Sequence, residues 1–346
     1  MKAIIASALL ASAVAQESPP LRNRYRRDPM SPTSEYCTLH KAALLQIPGE
    51  HLREDFVYEC VESNGVGGAL VMNSEQKTSL GDMIGNGALE LGVDQIDIRG
   101  AKRSGNKIML PNGKINTRKG RGGGSGRRLA NVTGKKPILA VKVIDVNGLA
   151  RSESLGEISY NIFGGGDDLV NLKSQLFDCS FAALEVTTDY SAFASDAQML
   201  KINEHVTDTA PGVMEATIAI DITQNDRYTI HNAVTAEVNR LLGFSLPGPF
   251  EQVMYVIEKC YVGCGWAAYA YINSWMSVYQ SNYYYQPGVQ VHELGHNFNL
   301  AHSGGLDGNT YTDHTCMMGN PLYSDEVGKM CYNEEWMVTL ILIILA

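Results

Sequence analysis

Apolar and polar positions alternate along this chain with two different rhythms. Before residue 101, stretches such as "GALVMN" (68–73) and "DQIDIRG" (94–100) have a period near two, which predicts short strands in a mixed segment. From Pro137 onward the pattern strengthens. "ILAVKVIDV" (138–146) and "ALEVTTDY" (183–190) predict strands, as do the β-branched and aromatic runs "QVMYVIEKCYV" (252–262) and "WAAYAYINSW" (266–275). In "DDLVNLKSQLFDCS", Leu169, Leu172 and Leu176 recur at helical spacing after an acidic start. "NDRYTIHNAVTAEVNRLLGF" predicts a longer helix, with Asp226 as its cap and Gly243 near its end. Strands alternating with helices predict an α/β (α+β) fold with a mixed sheet.

Against this background one stretch stands apart. "VQVHELGHNFNLAHSGG" (289–305) holds His292, His296 and His302, three of the chain's eight histidines, with Glu293 directly after the first. Residues four apart on a helix differ by roughly 40° of rotation and about 6 Å of rise, so His292 and His296 reach one ion from one face. Glu293 is rotated about 100° from His292, beside that ion, where a carboxylate accepts a proton from bound water. His302 would face away if the helix continued, since six residues rotate it by about 600°. It joins the site only if the helix ends first. Asn299 sits where the break is needed, and asparagine tolerates the left-handed backbone that ends helices. Three neutral imidazoles leave one tetrahedral position open, the layout of a catalytic Zn2+ site. Zinc brings the pKa of bound water to about 7 and polarises a carbonyl, which predicts peptide hydrolysis without a covalent intermediate.

Charge divides the chain. Residues 1–136 carry 20 basic and 13 acidic residues, net +7; residues 137–346 carry 8 and 24, net −16, which together give the formal −9. Opposed halves suggest two units that attract each other. From Ala101 to Lys136 there are eleven basic and no acidic residues, including the glycine-rich "RKGRGGGSGRR", which reads as an exposed linker. Its dibasic steps Arg127-Arg128 and Lys135-Lys136 are candidate processing points, and Asn131-Val132-Thr133 is a glycosylation sequon. Aromatic interleaving is absent, so nucleic acid is not an expected partner. "MKAIIASALLASAVA" has the charge, apolar core and small-x-small end of a secretory signal over residues 1–15, too short to span a bilayer. Export makes disulfides permissible. Seven cysteines leave at least one without an internal partner; Cys260 and Cys264 can bridge a tight turn. Cys37 and Cys60 form a disulfide or, alternatively, one of them occupies the open zinc position.

The histidine stretch resembles the metzincin zinc peptidases, with Asn299 at their usual glycine. Met318, in "DHTCMMGNP", matches their methionine turn. With "ILAVKVIDVNG" and "NLKSQLFDCSFAALEVT", it makes most of residues 137–332 similar to the gametolysin-like secreted peptidases, which lyse algal cell-wall or matrix glycoproteins. The resemblance implies a metzincin-like zincin catalytic domain over residues 137–346, with an active-site helix and a separate propeptide over residues 16–136. That propeptide would be an intramolecular inhibitor, and the substrate an extracellular matrix or cell-wall glycoprotein. It implies no membrane partner. His314 and Tyr323 lie near the methionine turn as possible substrate contacts. The final ten residues, Met337 to Ala346, are nearly all apolar and read as a truncated end. Two rivals stay open: a catalytically silent zinc-binding matrix or adhesion protein, and a zinc hydrolase whose third ligand is a carboxylate such as Glu326.

Overall fold

The computed structural model describes residues 35–49, 55–63, 67–120, 133–307, 309–321, 323 and 330–333. The signal sequence, Arg127-Arg128, Asn131, Glu326 and the apolar end lie outside them.

In chain order the first elements are strands β1 (Tyr36–Gln46), β2 (Phe56–Val61) and β3 (Gly67–Val71), helix α1 (Ser74–Gly85), and short strands β4 (Gln95–Asp97), β5 (Lys102–Ser104), β6 (Lys107–Met109) and β7 (Thr117–Arg118). There follow β8 (Gly134–Ile144), α2 (Leu155–Phe163), α3 (Leu172–Cys179), β9 (Leu184–Thr187), α4 (Asp196–His205) and β10 (Val213–Thr217). Helix α5 (Arg227–Leu242), strands β11 (Gln252–Ile257), β12 (Trp266–Tyr271) and β13 (Met276–Gln280), and helix α6 (Pro287–Asn297) complete the set. One mixed sheet runs β10-β8-β11-β13-β12-β1-β2-β3-β6-β5. Its β10, β8, β11 and β13 are parallel, and β12 runs antiparallel to both β13 and β1.

Local chemistry explains the helices that the sequence announced. Asp226 accepts from the Thr229 backbone N–H at the start of α5, and Gly243 ends it in the left-handed conformation at φ 71°. Helix α3 begins later than its leucine spacing suggested. Asn171 caps it, so Leu169 falls before the first turn and is solvent-exposed. The parallel strand β11 is buried throughout and β8 from Lys136 to Val141, as strands covered on both faces must be. One face packs against α2, α3 and α6, the other against α4 and α5. A third apolar cluster joins β1, β2 and β3 to α1.

Strand β1 pairs directly with β12, so the sheet does not stop at the boundary expected at residue 136. Nor is the whole basic stretch a linker. Residues 102–118 supply β5, β6 and β7, and Lys136 is fully buried in β8 with its ammonium 3.3 Å from Glu251. Lys135 and Lys136 therefore lie in a paired strand rather than on an exposed linker. Disulfides join Cys37 to Cys60, Cys179 to Cys331 and Cys260 to Cys264, while Cys316 is a buried free thiol. The Cys37–Cys60 bridge removes both as candidates for a thiol on the metal. No described helix is long and apolar enough to cross a membrane.

Candidate metal centre

Helix α6 begins with Pro287, whose missing N–H costs nothing in the first turn. All eleven of its residues are buried, so it runs through the interior rather than over the surface. Its end is a double-bonded turn. Asn299 takes φ 72°, the Asn299 N–H donates to the His296 carbonyl and the Leu300 N–H to the Gly295 carbonyl, each at 2.9 Å. These are the two bonds of a Schellman motif, with asparagine in glycine's place. The chain reverses there and returns His302 to the helix face.

The three imidazoles converge. Nε2 of His296 lies 3.2 Å from Nε2 of His292 and 3.1 Å from Nε2 of His302. The opposite nitrogens set the tautomers: Nδ1 of His292 donates to the Met317 carbonyl at 2.6 Å, and Nδ1 of His296 to the Leu300 carbonyl at 2.8 Å. With their protons committed to carbonyls, both Nε2 atoms present lone pairs inward. Lone pairs facing one another at such spacing repel unless a cation sits between them. A tetrahedral zinc with bonds of about 2.0–2.1 Å would set its nitrogens roughly 3.3 Å apart, so this donor set fits the ion. Burial holds the imidazoles neutral, the form a metal needs, bringing His292 down to about 4 and His296 and His302 well below the usual histidine value.

Glu293 is fully buried, and neither carboxylate oxygen has a hydrogen-bond partner. Burial alone pushes its pKa well up. A lone buried carboxyl is costly, and a neighbouring divalent cation offsets that cost. The turn carrying Met317 and Met318 closes the site from below. A side-chain carbon on Gly295 would lie 2.3 Å from the Met318 sulfur, so glycine lets that thioether press against the helix between the two histidines. Gly319 is equally required, since a side chain there would meet the Asp313 carbonyl at 2.1 Å. The Tyr332 hydroxyl donates to the Val291 carbonyl at 2.9 Å.

Tyr311, not anticipated from sequence, stands at the rim with its hydroxyl 3.4 Å from Nε2 of His302. A tyrosine nine residues beyond a histidine has no periodic signal that could have disclosed it. Tyr323 donates to the Gln46 carbonyl at 3.0 Å. His314 is exposed and contacts Asn320 rather than the cluster.

A mixed sheet over a buried helix, with three histidine nitrogens gathered at that helix's end, defines an α/β protein able to hold a divalent metal. Residues 136–340 match the gametolysin peptidase M11 family, and the chain belongs to that family of metallopeptidases. No curated protein matches the chain. One solved structure, described as a chaperone–substrate complex, is similar at a TM-score of 0.25 and 12% identity. The likeness covers 82% of this chain and 39% of that one.

Proposed function

We propose that the protein is a secreted zinc endopeptidase that hydrolyses peptide bonds of extracellular matrix or cell-wall glycoproteins, with His292, His296 and His302 as metal ligands and Glu293 as general base. The observation that carries this reading is the combination of three converging neutral imidazoles with an unpartnered buried carboxylate next to them in sequence. When bound, zinc supplies a Lewis acid that acidifies water and polarises the scissile carbonyl. Glu293 takes up the proton of the attacking water and delivers it to the leaving nitrogen. The buried surroundings of the carboxylate keep bulk water from intervening. Met318 under Gly295 keeps the two helix-borne ligands in register, a positioning role. The family assignment supports the peptidase chemistry, and three disulfides suit an oxidising compartment outside the cell.

The test is casein hydrolysis by purified protein with its zinc content measured, beside Glu293→Gln. Loss of a general base costs about 10²–10⁴ in rate, so the variant should retain zinc and lose nearly all activity. Hydrolysis undiminished in Glu293→Gln would remove the assigned role. A zinc-loaded, processed wild type without activity would favour the silent matrix protein instead.

A further inference from the structure

Strands β1 to β6 close into a barrel that lies outside the family-matched residues 136–340. β1, β2 and β3 form an antiparallel meander, and β6 joins β3 in parallel. β5 pairs with β6, and β4, separated from β5 only by residues 98–101, returns to β1. A side chain on Gly68 would lie 2.7 Å from the Asn106 carbonyl oxygen, so glycine lets the ring close there. Leu39, Cys60, Leu70, Ile96 and Ile108 pack inside, with Leu80 of α1, the helix between β3 and β4. With β4 and β5 as one bent strand, this order and that helix are the topology of the oligonucleotide- and oligosaccharide-binding barrel. Such barrels bind on the outward face of their second and third strands and at the loops beside it.

Here that face turns toward α5. Glu59 of β2 pairs with Arg227, and the Asn106 side chain donates to Asp226 at the start of the same helix. Between barrel and helix lies a cavity of about 310 Å³, bounded by the end of β2 on one side and by Asn232 and Asn239 of α5 on the other. Ser63 and Ser245 are exposed at its mouth, while His40 and Tyr271 are buried in its wall, ring stacked on ring. Trp275 is half-buried beside them, held against Tyr255 with the ring planes at 74°. His40 is only 8% exposed, and its Nδ1 is buried without a hydrogen-bond partner. An unmade bond in the interior is costly, and a ligand hydroxyl would complete it. The Asn239 side-chain oxygen already accepts from the Leu246 N–H, so its NH2 group is what remains to donate. Among the described residues no lysine or arginine lines the cavity, and Glu62, which does, is held by Arg103 at 2.6 Å. A nucleic acid strand needs a positive groove for its phosphates, so these walls suit an uncharged ligand.

We propose that this cavity binds a neutral saccharide, packed on Trp275 and hydrogen-bonded by His40, Asn232 and Asn239. The C–H faces of a sugar ring suit aromatic surfaces, and its hydroxyls both donate and accept, which matches a wall of rings, amides and one unpaired imidazole nitrogen. The site is separate from the metal centre. Asn297 of α6 donates to the Tyr271 and Met276 carbonyls across the sheet, so the cavity backs onto the face opposite His292, His296 and His302. Saccharide binding there does not depend on the peptidase reading.

The experiment uses the zinc-loaded full chain. Glucose, galactose, N-acetylglucosamine, maltose and cellobiose are each titrated by calorimetry, with oligothymidylate as the nucleic acid arm. At least one sugar should bind with a Kd of about 1 mM or below, and oligothymidylate should not. In nitrogen-detected spectra that sugar should move the ring resonances of His40 and leave those of His292, His296 and His302 in place, a readout that needs no variant. Trp275→Leu should weaken binding about tenfold and Asn232→Ala about fivefold, the values of one aromatic contact and one hydrogen bond. Zinc content and urea midpoints near those of wild type show that the variants are folded. Absence of binding by all five sugars at about 50 mM overturns the inference. So does binding that leaves His40 unmoved, binding as tight in folded Trp275→Leu as in wild type, or oligothymidylate binding tighter than every sugar.

Discussion

His40 and His231 both pack against the Tyr271 ring, His40 stacked on it at 4.7 Å between centroids and His231 edge-on at 5.9 Å. Neither belongs to the metal cluster, and both are buried in the interior between β1 and α5. Burial lowers His40 to about 4 and His231 well below the ordinary value. Both are therefore neutral in the folded chain but take up protons near 6.5 when it unfolds. The unfolded state binds more protons in that interval, so stability falls as pH drops from about 6.5 toward 4. For His40 the depression corresponds to about 3 kcal/mol, fully present above the unfolded value and gone below the folded one. Urea denaturation of wild type and His40→Asn at pH 7.0 and 4.5 should show a smaller acid loss in the variant by roughly that amount. Identical losses would mean that His40 is solvated. No periodicity in the sequence marked these histidines, because a burial shift belongs to the surroundings of a residue rather than to its neighbours in the chain.

At the scale of elements, what could be read ahead was what local chemistry determines. The cap Asp226 and terminator Gly243 act within one turn of α5, and the four-then-six spacing of the histidines required the bend now seen at Asn299. That bend makes its own prediction. Asn299→Gly should keep zinc and fold as well as wild type, since glycine adopts φ 72° without strain. Asn299→Val should lose at least about tenfold in zinc affinity, because a β-branched residue there strains the backbone by more than about 1–2 kcal/mol. Zinc retention by Asn299→Val equal to wild type would show that the turn does not deliver His302. Strand β1 was not legible in the same way. "YCTLHKAALLQ" mixes His40 and Lys41 into a strand that lies inside a sheet, and its partner β12 is more than 200 residues away. Only tertiary pairing identifies it. The two- and three-residue strands β5, β6 and β7 hid in the basic run for a similar reason, since so short a segment has no rhythm of its own.

Across the whole molecule, the opposed charges of the two halves suggested a broad electrostatic attraction. One buried contact runs against that bulk trend. Glu59, from the basic half, is fully buried and pairs with Arg227 of the acidic half at 2.8 Å, while the Tyr271 hydroxyl also donates to it. Breaking one side of a buried pair leaves the other charge stranded, at a cost of about 3–5 kcal/mol. Glu59→Gln should lose about that much in urea denaturation, and Glu59→Gln combined with Arg227→Met should recover a good part of it. A single variant as stable as wild type would mean that water reaches Arg227.

Lys136 carries a consequence for how the chain can be trimmed. Its backbone is stitched into the sheet and its ammonium is anchored indoors on Glu251, so outside scissors cannot bite there without first unravelling the fold. A cut that parts the N-terminal strands from β8 without opening β8 falls before Gly134, and the downstream piece then carries Lys135 and Lys136 close to its front end.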